Sequence, residues 1–565
     1  MRIGIDIGGT HTDGVLIDGT RLVAAAKIPT NHDHLLESIS QVLHLILDGQ
    51  DPAAVSALNL STTLTTNAII TGKTDPVGML VAGGPGIAPE TYRIGDHFHL
   101  IPGSLDHLGS ETAPLDVDQL EQAIADCSAQ GVKRFAVVAK FSPRNPVHEN
   151  LMRDQLGDRD DFVSTGHLIS GQLNFGRRIH TAYYNSAVWR TFRSFATALT
   201  ASLRGFALQA EVNILKADGG TMPLARAQEA PVQSIFSGPA ASVMGILAIT
   251  SASTDLLMLD IGGTTSDIAL FASGQPLLER EGIAIDGHPT LVRAIHVESI
   301  GIGGDSLISI DAAGVQTGPQ RLGPCMATGG PAPTLMDALN VLGLAAFGEV
   351  QRSCAGIETL AANHGLTGGQ LARGAVDTAV NAISAKIETL IAHVNSKPIY
   401  TIHEILKDRE VNPKKIIVIG GPAAVFKNLL QMRLDMEVVI PPLHRVANAI
   451  GAALTRSTSH LTLTADTTKG KLSVPLLGIF RSIPRSFNLD NAIEEAKTLL
   501  KADLEQAGIA IQADEIQITQ ADSFNMVEGS YTSGKNIRVV AQIQPAVIAR
   551  LEAGSATEVP IAGRP

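Results

Sequence analysis

The pattern Asp-Ile-Gly-Gly-Thr-x-x-Asp occurs twice, from Asp6 to Asp13 and from Asp260 to Asp267, an offset of 254 residues. Over Ile3–Ile17 and Leu257–Phe271, seven of fifteen positions are identical, six of them inside the pattern. Each copy follows one apolar run and precedes another, so each reads as a tight hairpin. Glycine removes the side chain where a backbone must turn and approach a ligand. The freed N–H groups, with a Thr hydroxyl, can cradle a phosphate chain. Gly8, Gly9 and Thr10, and Gly262, Gly263, Thr264 and Thr265, are therefore candidate phosphate-binding residues. Asp6 and Asp260 are candidate Mg²⁺ ligands, because that ion keeps most of its waters and takes one or two carboxylates beside phosphates. Asp260 is also a candidate catalytic group. Asp13 and Asp267 have the opposite parity to the Thr and are expected to brace the turns. An ordinary Asp-bearing hairpin explains one copy but not two.

Other residues offer different chemistry. Asn145-Pro146 reads as a helix start, with Asn as cap and Pro at the first helical position. That leaves His148 and Glu149 unexplained. A His that titrates near neutrality beside a carboxylate is a candidate acid/base or metal pair, so both are candidate catalytic residues, with Asn145 on the substrate. Thr63, Thr66 and Asn67 either cap a helix or line a cleft opposite a γ-phosphate. Arg177 and Arg178 provide forks for a substrate carboxylate, or simply open a surface helix. His97, His99 and His107, with Asp96 and Asp106, form a loop cluster whose His-x-His has metal-ligand spacing. A solvated loop is its simpler reading.

The elements that must position these groups alternate. Residues 3–7, 77–81, 135–138, 256–260 and 415–419 read as buried strands, and 117–127, 146–155, 180–203 and 374–394 as helices, an α/β signature. Gly238-Pro-Ala-Ala and Gly421-Pro-Ala-Ala each follow an apolar run and open a helix of small residues. Residues 457–475 are Ser/Thr-rich, then basic, and read as a linker. One helix (489–507) and alternating strands near 515–521 and 536–544 follow, a small α+β module. The chain has 565 residues, a formal net charge of −12 and 44% hydrophobic residues. The negative balance argues against nucleic acid or an anionic membrane as the main partner. Aromatics make up only 4%, too few for base-stacking platforms. No segment approaches ~20 uninterrupted apolar residues, and Asp6 breaks the N-terminal run, so neither a membrane span nor a signal peptide is expected. Three scattered cysteines fit a reduced compartment, and the expected location is the cytoplasm.

The order of hairpin, small-residue helix (238–248), second hairpin, Gly-Gly turn at 418–422 and second small-residue helix (447–454) resembles the five-motif order of the actin, sugar-kinase and heat-shock-chaperone ATPase superfamily. That resemblance implies two related lobes clasping ATP. It places Gly420, Gly421 and Pro422 on the adenosine side and the two small-residue helices at the crossing between lobes. Further blocks resemble the hydantoinase A/5-oxoprolinase family: Ser61–Ala68, Phe141–Glu149, Phe175-Gly-Arg177, Ala217-Asp-Gly-Gly, Ser237–Ala241, Ile300–Ser306, Gly323-Pro-Cys and Pro333–Ala338. Together they run from residue 3 to about 455 in the family's order. Gly303 and Gly304 are thereby implied at the nucleotide. Departures are His11 where Phe is usual, Asp305 in place of a third glycine, Arg144 within its block, and Ala217 in place of Ser.

The resemblance implies an α/β fold with two related actin-like ATPase lobes around a nucleotide cleft. The expected division is 1–245, 246–460 and a C-terminal module over 461–565. The implied activity is ATP- and Mg²⁺-dependent opening of a small cyclic amide by phosphorylation of its carbonyl oxygen, with Thr63, Asn67, Asn145 and Arg177 toward the substrate. An ATP-binding subunit of a ketone carboxylase is the alternative enzyme, and a nucleotide-switched regulatory or reactivating ATPase the alternative of another class. A second subunit and an oligomeric state are expected as partners.

Overall fold

The computed structural model describes residues 1–31, 34–251, 253–279, 281–396, 410–528, 531–552 and 561–562. Two sheets share one strand order. In the first, Arg2–Ile7 pairs antiparallel with His11–Asp18, which pairs with Arg21–Pro29; on its other side it runs parallel to Ala57–Thr62 and then Glu211–Leu215. In the second, Leu256–Ile261 pairs antiparallel with Ser266–Ala272, which pairs with Val297–Ile300; on its other side it runs parallel to Lys415–Ile419 and then Glu437–Val439. The sequence repeat is thus a repeat of architecture. Strands buried on both faces explain the unbroken apolar runs at the start of each half.

Within 1–245, the expected first lobe, the chain builds two sheets. Between Ala57–Thr62 and Glu211–Leu215 the chain forms an all-parallel sheet in the order Phe162–Thr165, Arg134–Ala139, Val77–Ala82, His97–Leu100. The helix Phe175–Arg204 ties this inserted unit to the first sheet. Its 30 residues span about 45 Å. Ile179, Ala182 and Val188 pack on the inserted sheet, while Phe192, Phe195, Leu199 and Leu203 pack with Ile3, Ile5 and Leu58.

The helices Ser237–Ile249 and Ala447–Leu454 cross where side chains are absent. A Cβ on Gly451 would stand 2.1 Å from the Ala241 carbonyl oxygen, and one on Gly245 2.1 Å from that of Ala447. The second helix also presses on the first sheet, since a Cβ on Gly4 would lie 2.0 Å from the Ala449 carbonyl oxygen. Small residues are therefore required where the two halves meet.

Residues 457–475 are not a linker. His460–Asp466 and Lys471–Val474 are strands of a five-stranded antiparallel sheet completed by Ile479–Ser482, Tyr531–Ile543 and Ile516–Glu528. Leu461, Leu463 and Ala465 alternate inward with Thr outward, a period of two hidden by the Thr content. The helix Leu489–Gln506 covers the inner face through Ala492, Ala496, Leu500 and Leu504. Among the described residues, no helix is long and apolar enough to cross a membrane.

Candidate functional site

The two hairpins meet at the junction of the halves. Their turns are alike: Gly8 N–H donates to the His11 carbonyl at 3.0 Å, and Gly262 N–H to that of Thr265 at 2.9 Å. A Cβ on Gly263 would lie 2.7 Å from Thr10 Oγ1, so the turns face each other. Gly303 and Gly304 fold onto the second turn. Gly304 N–H donates to the Gly262 carbonyl at 2.9 Å, and Asp305 N–H to that of Gly263 at 2.7 Å. Gly420 has φ +97°, and a Cβ there would stand 2.8 Å from Asp260 Oδ1. Pro422 packs against Gly304, and open space surrounds Gly9 and Gly421. The structure thus gathers Asp6, Gly8, Gly9, Thr10, Gly262, Gly263, Thr264, Thr265, Gly303, Gly304, Gly420, Gly421 and Pro422 at one junction.

Four carboxylates share that junction. Asp6 stands directly opposite Asp13 in the first hairpin, and Asp260 opposite Asp267 in the second. Directly opposed residues share a face, so Asp13 and Asp267 join the acidic group, where the sequence had cast them as turn braces. The Asn448 amide donates to Asp6 Oδ2 at 3.2 Å and to Asp260 Oδ2 at 3.3 Å, bridging the halves. Ser242 Oγ donates to Asp260 Oδ2 at 2.6 Å. Asp13 is satisfied by Lys27 Nζ, 2.7 Å from both its oxygens.

Burial pushes Asp6 up to about 7, the charges of Asp13 and Asp260 adding to the effect and hydrogen bonds from Ser61 and Asn448 opposing it. Burial likewise lifts Asp267 to about 7 and raises Asp260. His11 is driven down to about 4 by burial, then by Lys27 and Arg321. Asp305, the acidic departure, is paired with Arg321 at 3.1 Å.

Asp6 Oδ1 is buried with no hydrogen-bond partner. An orphaned carboxylate oxygen among other acids is the position a divalent cation satisfies. Among the described residues, no three or more His, Cys, Asp or Glu side chains converge on a metal position. Asp6 and Asp260 alone would hold Mg²⁺, the remaining ligands being water or phosphate. That ion would supply charge neutralisation at a phosphate chain.

Asn448, Ser242, Lys27 and Arg321 were missed by sequence reasoning. Ser242 and Asn448 are polar residues within small-residue helices, a signal that was available; Lys27 and Arg321 show none without the pairing of strands. Thr63 lies beside the first hairpin, its Oγ1 donating to the Ile7 carbonyl at 3.3 Å and accepting from Asn67 Nδ2 at 3.3 Å. Thr63 is the N-cap of the helix Leu64–Ile70, and Asn67 lies one turn on.

The remaining expected residues lie elsewhere. Glu149 is fully buried in the inserted unit. It accepts from Ala139 N–H (2.7 Å), His167 N–H (2.7 Å), His167 Nδ1 (2.6 Å), Arg178 Nη1 (3.2 Å) and Ser142 Oγ. Burial alone would raise its pKa, but the His167, Arg178 and Ser142 contacts hold it below the usual carboxylate range. With every lone pair engaged, it is a structural hub and not a general acid or base. His148 is 1% exposed in the same unit, with Nε2 2.9 Å from Glu111 Oε1 and Nδ1 buried without a partner, away from the two hairpins. Arg177 Nη1 donates to the carbonyls of Glu281, Gly282 and Thr290 at 2.9–3.0 Å, and Arg178 to those of Ala139 and Lys140. Both guanidinium groups hold backbone, Arg177 through Nη1 alone. Asn145 is not the expected cap: Pro146 is the N-cap of the helix Val147–Leu156, and Asn145, one residue earlier, accepts from Val147 N–H through Oδ1 at 3.2 Å and donates from Nδ2 to the Gly109 carbonyl at 2.9 Å. His97 and His99 occupy a strand, not a loop, with His99 Nε2 3.4 Å from Cys127 Sγ.

Residues 178–460 match the hydantoinase/oxoprolinase family and residues 2–158 its N-terminal region. The chain belongs to the hydantoinase/oxoprolinase family. The caprolactamase subunit alpha of Pseudomonas jessenii is 27% identical over 80% of this chain and 69% of its own length. The acetophenone carboxylase gamma subunit of Aromatoleum aromaticum is 25% identical over 60% of this chain and 53% of its own. Among solved structures, nucleotide-free acetone carboxylase superposes with TM-score 0.72 at 17% identity, covering 96% of this chain and 87% of that one. The ATP-dependent caprolactamase of Pseudomonas jessenii superposes with TM-score 0.70 at 21% identity, covering 98% and 88%. These superpositions establish the shared fold.

Proposed function

We propose that this hydantoinase/oxoprolinase family member uses Mg-ATP to open a small cyclic amide. The observation that carries the reading is the acidic pair Asp6 and Asp260, bridged by Asn448 and flanked by two glycine turns. We read the two sheets as actin-like ATPase lobes with limits near 245 and 460, and the cleft between them as the nucleotide site, in a cytoplasmic enzyme. Gly8, Gly9, Thr10 and Gly262–Thr265 hold phosphates, Gly303 and Gly304 support the second turn, and Gly420–Pro422 face the adenosine. Thr63 and Asn67 line the side of the cleft nearest the first turn.

An amide carbonyl carbon is a poor electrophile. Transfer of the γ-phosphoryl group to its oxygen, with ADP leaving, makes the carbon attackable. Water adds there and the ring C–N bond breaks, giving an amine and an acyl phosphate. A second water attacks the acyl carbon and expels phosphate that carries the original amide oxygen. The protein's part is positioning and charge stabilisation, as in other phosphoryl transfers.

The relatives named as subunits support a second, partner subunit and an oligomer. The acetophenone carboxylase relative supports a second reading, in which the γ-phosphoryl group goes to a ketone enolate oxygen, the enol carbon then bonds to a carboxyl carbon supplied by bicarbonate, and the O–P bond breaks to release phosphate. Phosphate release measured against panels of cyclic amides, ketones plus bicarbonate, and sugars separates the readings. Stimulation by cyclic amides is expected. Stimulation only by ketones with bicarbonate selects the carboxylase, and stimulation only by a protein partner selects a regulatory ATPase.

A further inference from the structure

The outer face of the C-terminal sheet, away from its helix, points at the inserted unit. Ser482, Lys471, Asp466 and Asn536 stand in one row across four strands, with Thr464 and Ser473 in the next. Between this face and the segment Arg144–Pro146 lies a cavity of about 230 Å³. That is below the ~300–1,000 Å³ of sites that bury drug-sized ligands, so it fits a small molecule and not a nucleotide. No residue of the two hairpins lines it.

Several lining groups are satisfied: Lys469 Nζ donates to Ser110 Oγ at 2.6 Å, and Arg481 pairs with Glu495 at 2.7 Å. Three charged groups are not. The half-buried Arg144 guanidinium makes no hydrogen bond or ion pair with the described residues, although it lies in the fields of Asp466 and Asp106. Lys471, an exposed residue, likewise has no ion-pair partner among them. Asp466 Oδ1 accepts from Thr468 N–H at 2.9 Å and Lys469 N–H at 3.0 Å, but its Oδ2 is buried with no partner. Charged residues of both signs, Arg144, Lys471 and Asp466, line one half-open cavity without an ion pair between them.

A simple anion would engage Arg144 and leave Asp466 orphaned beside it; a simple cation would do the reverse. We infer that this cavity binds a small zwitterion, an amino acid of a few carbons, with its carboxylate on Arg144 and Lys471 and its ammonium on Asp466 Oδ2. A planar guanidinium suits bidentate carboxylate recognition. The start of the ten-residue helix Val147–Leu156 adds its partial positive charge on the same side. The inference stands on the cavity and does not depend on the proposed function. Should that function hold, ring opening of a lactam releases a molecule of this class, and the cavity becomes a product or feedback site.

The test is calorimetric titration of the full chain, without nucleotide, by 5-aminopentanoate, pentanoate, pentylamine and inorganic phosphate. We expect the amino acid to bind at least about tenfold more tightly than the other three. Arg144→Gln should abolish its advantage over pentylamine. Asp466→Asn, which keeps the Oδ1 turn contacts, should abolish its advantage over pentanoate. Asp6→Asn, in the distant cleft, should leave binding unchanged, which separates this site from the nucleotide reading. Equal binding of pentanoate or phosphate, no saturable binding of any probe, or unchanged affinity in both cavity variants would overturn the inference.

Discussion

Neutralising Asp6 should stabilise the metal-free protein while abolishing its activity. Asp6 is buried, one of its oxygens has no partner, and its pKa is raised from 3.8 to about 7. Well below pH 3.8, the carboxyl is protonated in both folded and unfolded chains and costs nothing. Between about 4 and 7 the folded state holds a proton that the unfolded state has lost, so stability falls as pH rises. Above about 7 the full cost is present. A rise of about three units corresponds to a ceiling of about 4 kcal/mol. Asn at this position also weakens the hydrogen bonds that Ser61 and Asn448 make to a charged oxygen, a loss of about 1 kcal/mol. A net gain of about 2–3 kcal/mol for Asp6→Asn is therefore expected above neutrality, shrinking toward zero near pH 4. Melting midpoints of both proteins across this range, with and without Mg²⁺, measure it. Mg²⁺ should raise the midpoint of the parent by mass action and leave the variant unmoved. Parallel midpoints at every pH, or a variant less stable than the parent at high pH, would refute the argument that Asp6 is a strained, metal-awaiting carboxylate.

Three further outcomes follow from the geometry. Gly451→Ala places a Cβ 2.1 Å from a helix carbonyl oxygen, so it should destabilise the crossing by roughly 1–3 kcal/mol in denaturant melts and reduce any nucleotide-linked change in small-angle scattering. Glu149→Gln leaves Arg178 buried without its countercharge and should cost about 3–5 kcal/mol in the same melts, with turnover per folded molecule nearly intact; a folded variant with lost turnover would restore Glu149 to catalysis. Asn448→Ala should lower kcat more than it changes the KM for ATP, because it removes the tie between the two acidic hairpins and touches no expected nucleotide contact.

The two hairpins were legible because their signal is local: a glycine turn with flanking Asp, repeated after equivalent strands. What was lost lies in long-range pairing. Asp13 was read by its parity to Thr10, but the turn interrupts the alternation, and strand register sets it opposite Asp6. Asn448 is separated by 442 residues from Asp6, and its role appears only once the helices cross. The same distance effect misled in the other direction at Glu149, whose His167 and Arg178 partners arrive 18 and 29 residues later. Charged residues at a helix start resembled exposed chemistry until the sheet covered them. The strands at 77–82 and 134–139 were visible as apolar runs, but nothing local assigns them to a sheet of their own. The segment 457–475 was misread because Thr on the outer face of a strand looks, by composition, like a loop.

The central claim is that phosphoryl transfer goes to a carbonyl-derived oxygen. A cyclic amide that stimulates phosphate release should be prepared with heavy oxygen in its ring carbonyl, turned over with ATP, and its products analysed by mass spectrometry. The account predicts the label in inorganic phosphate, one atom for each ring opened. Full retention of the label in the organic product, or a stable phosphate ester, would contradict it.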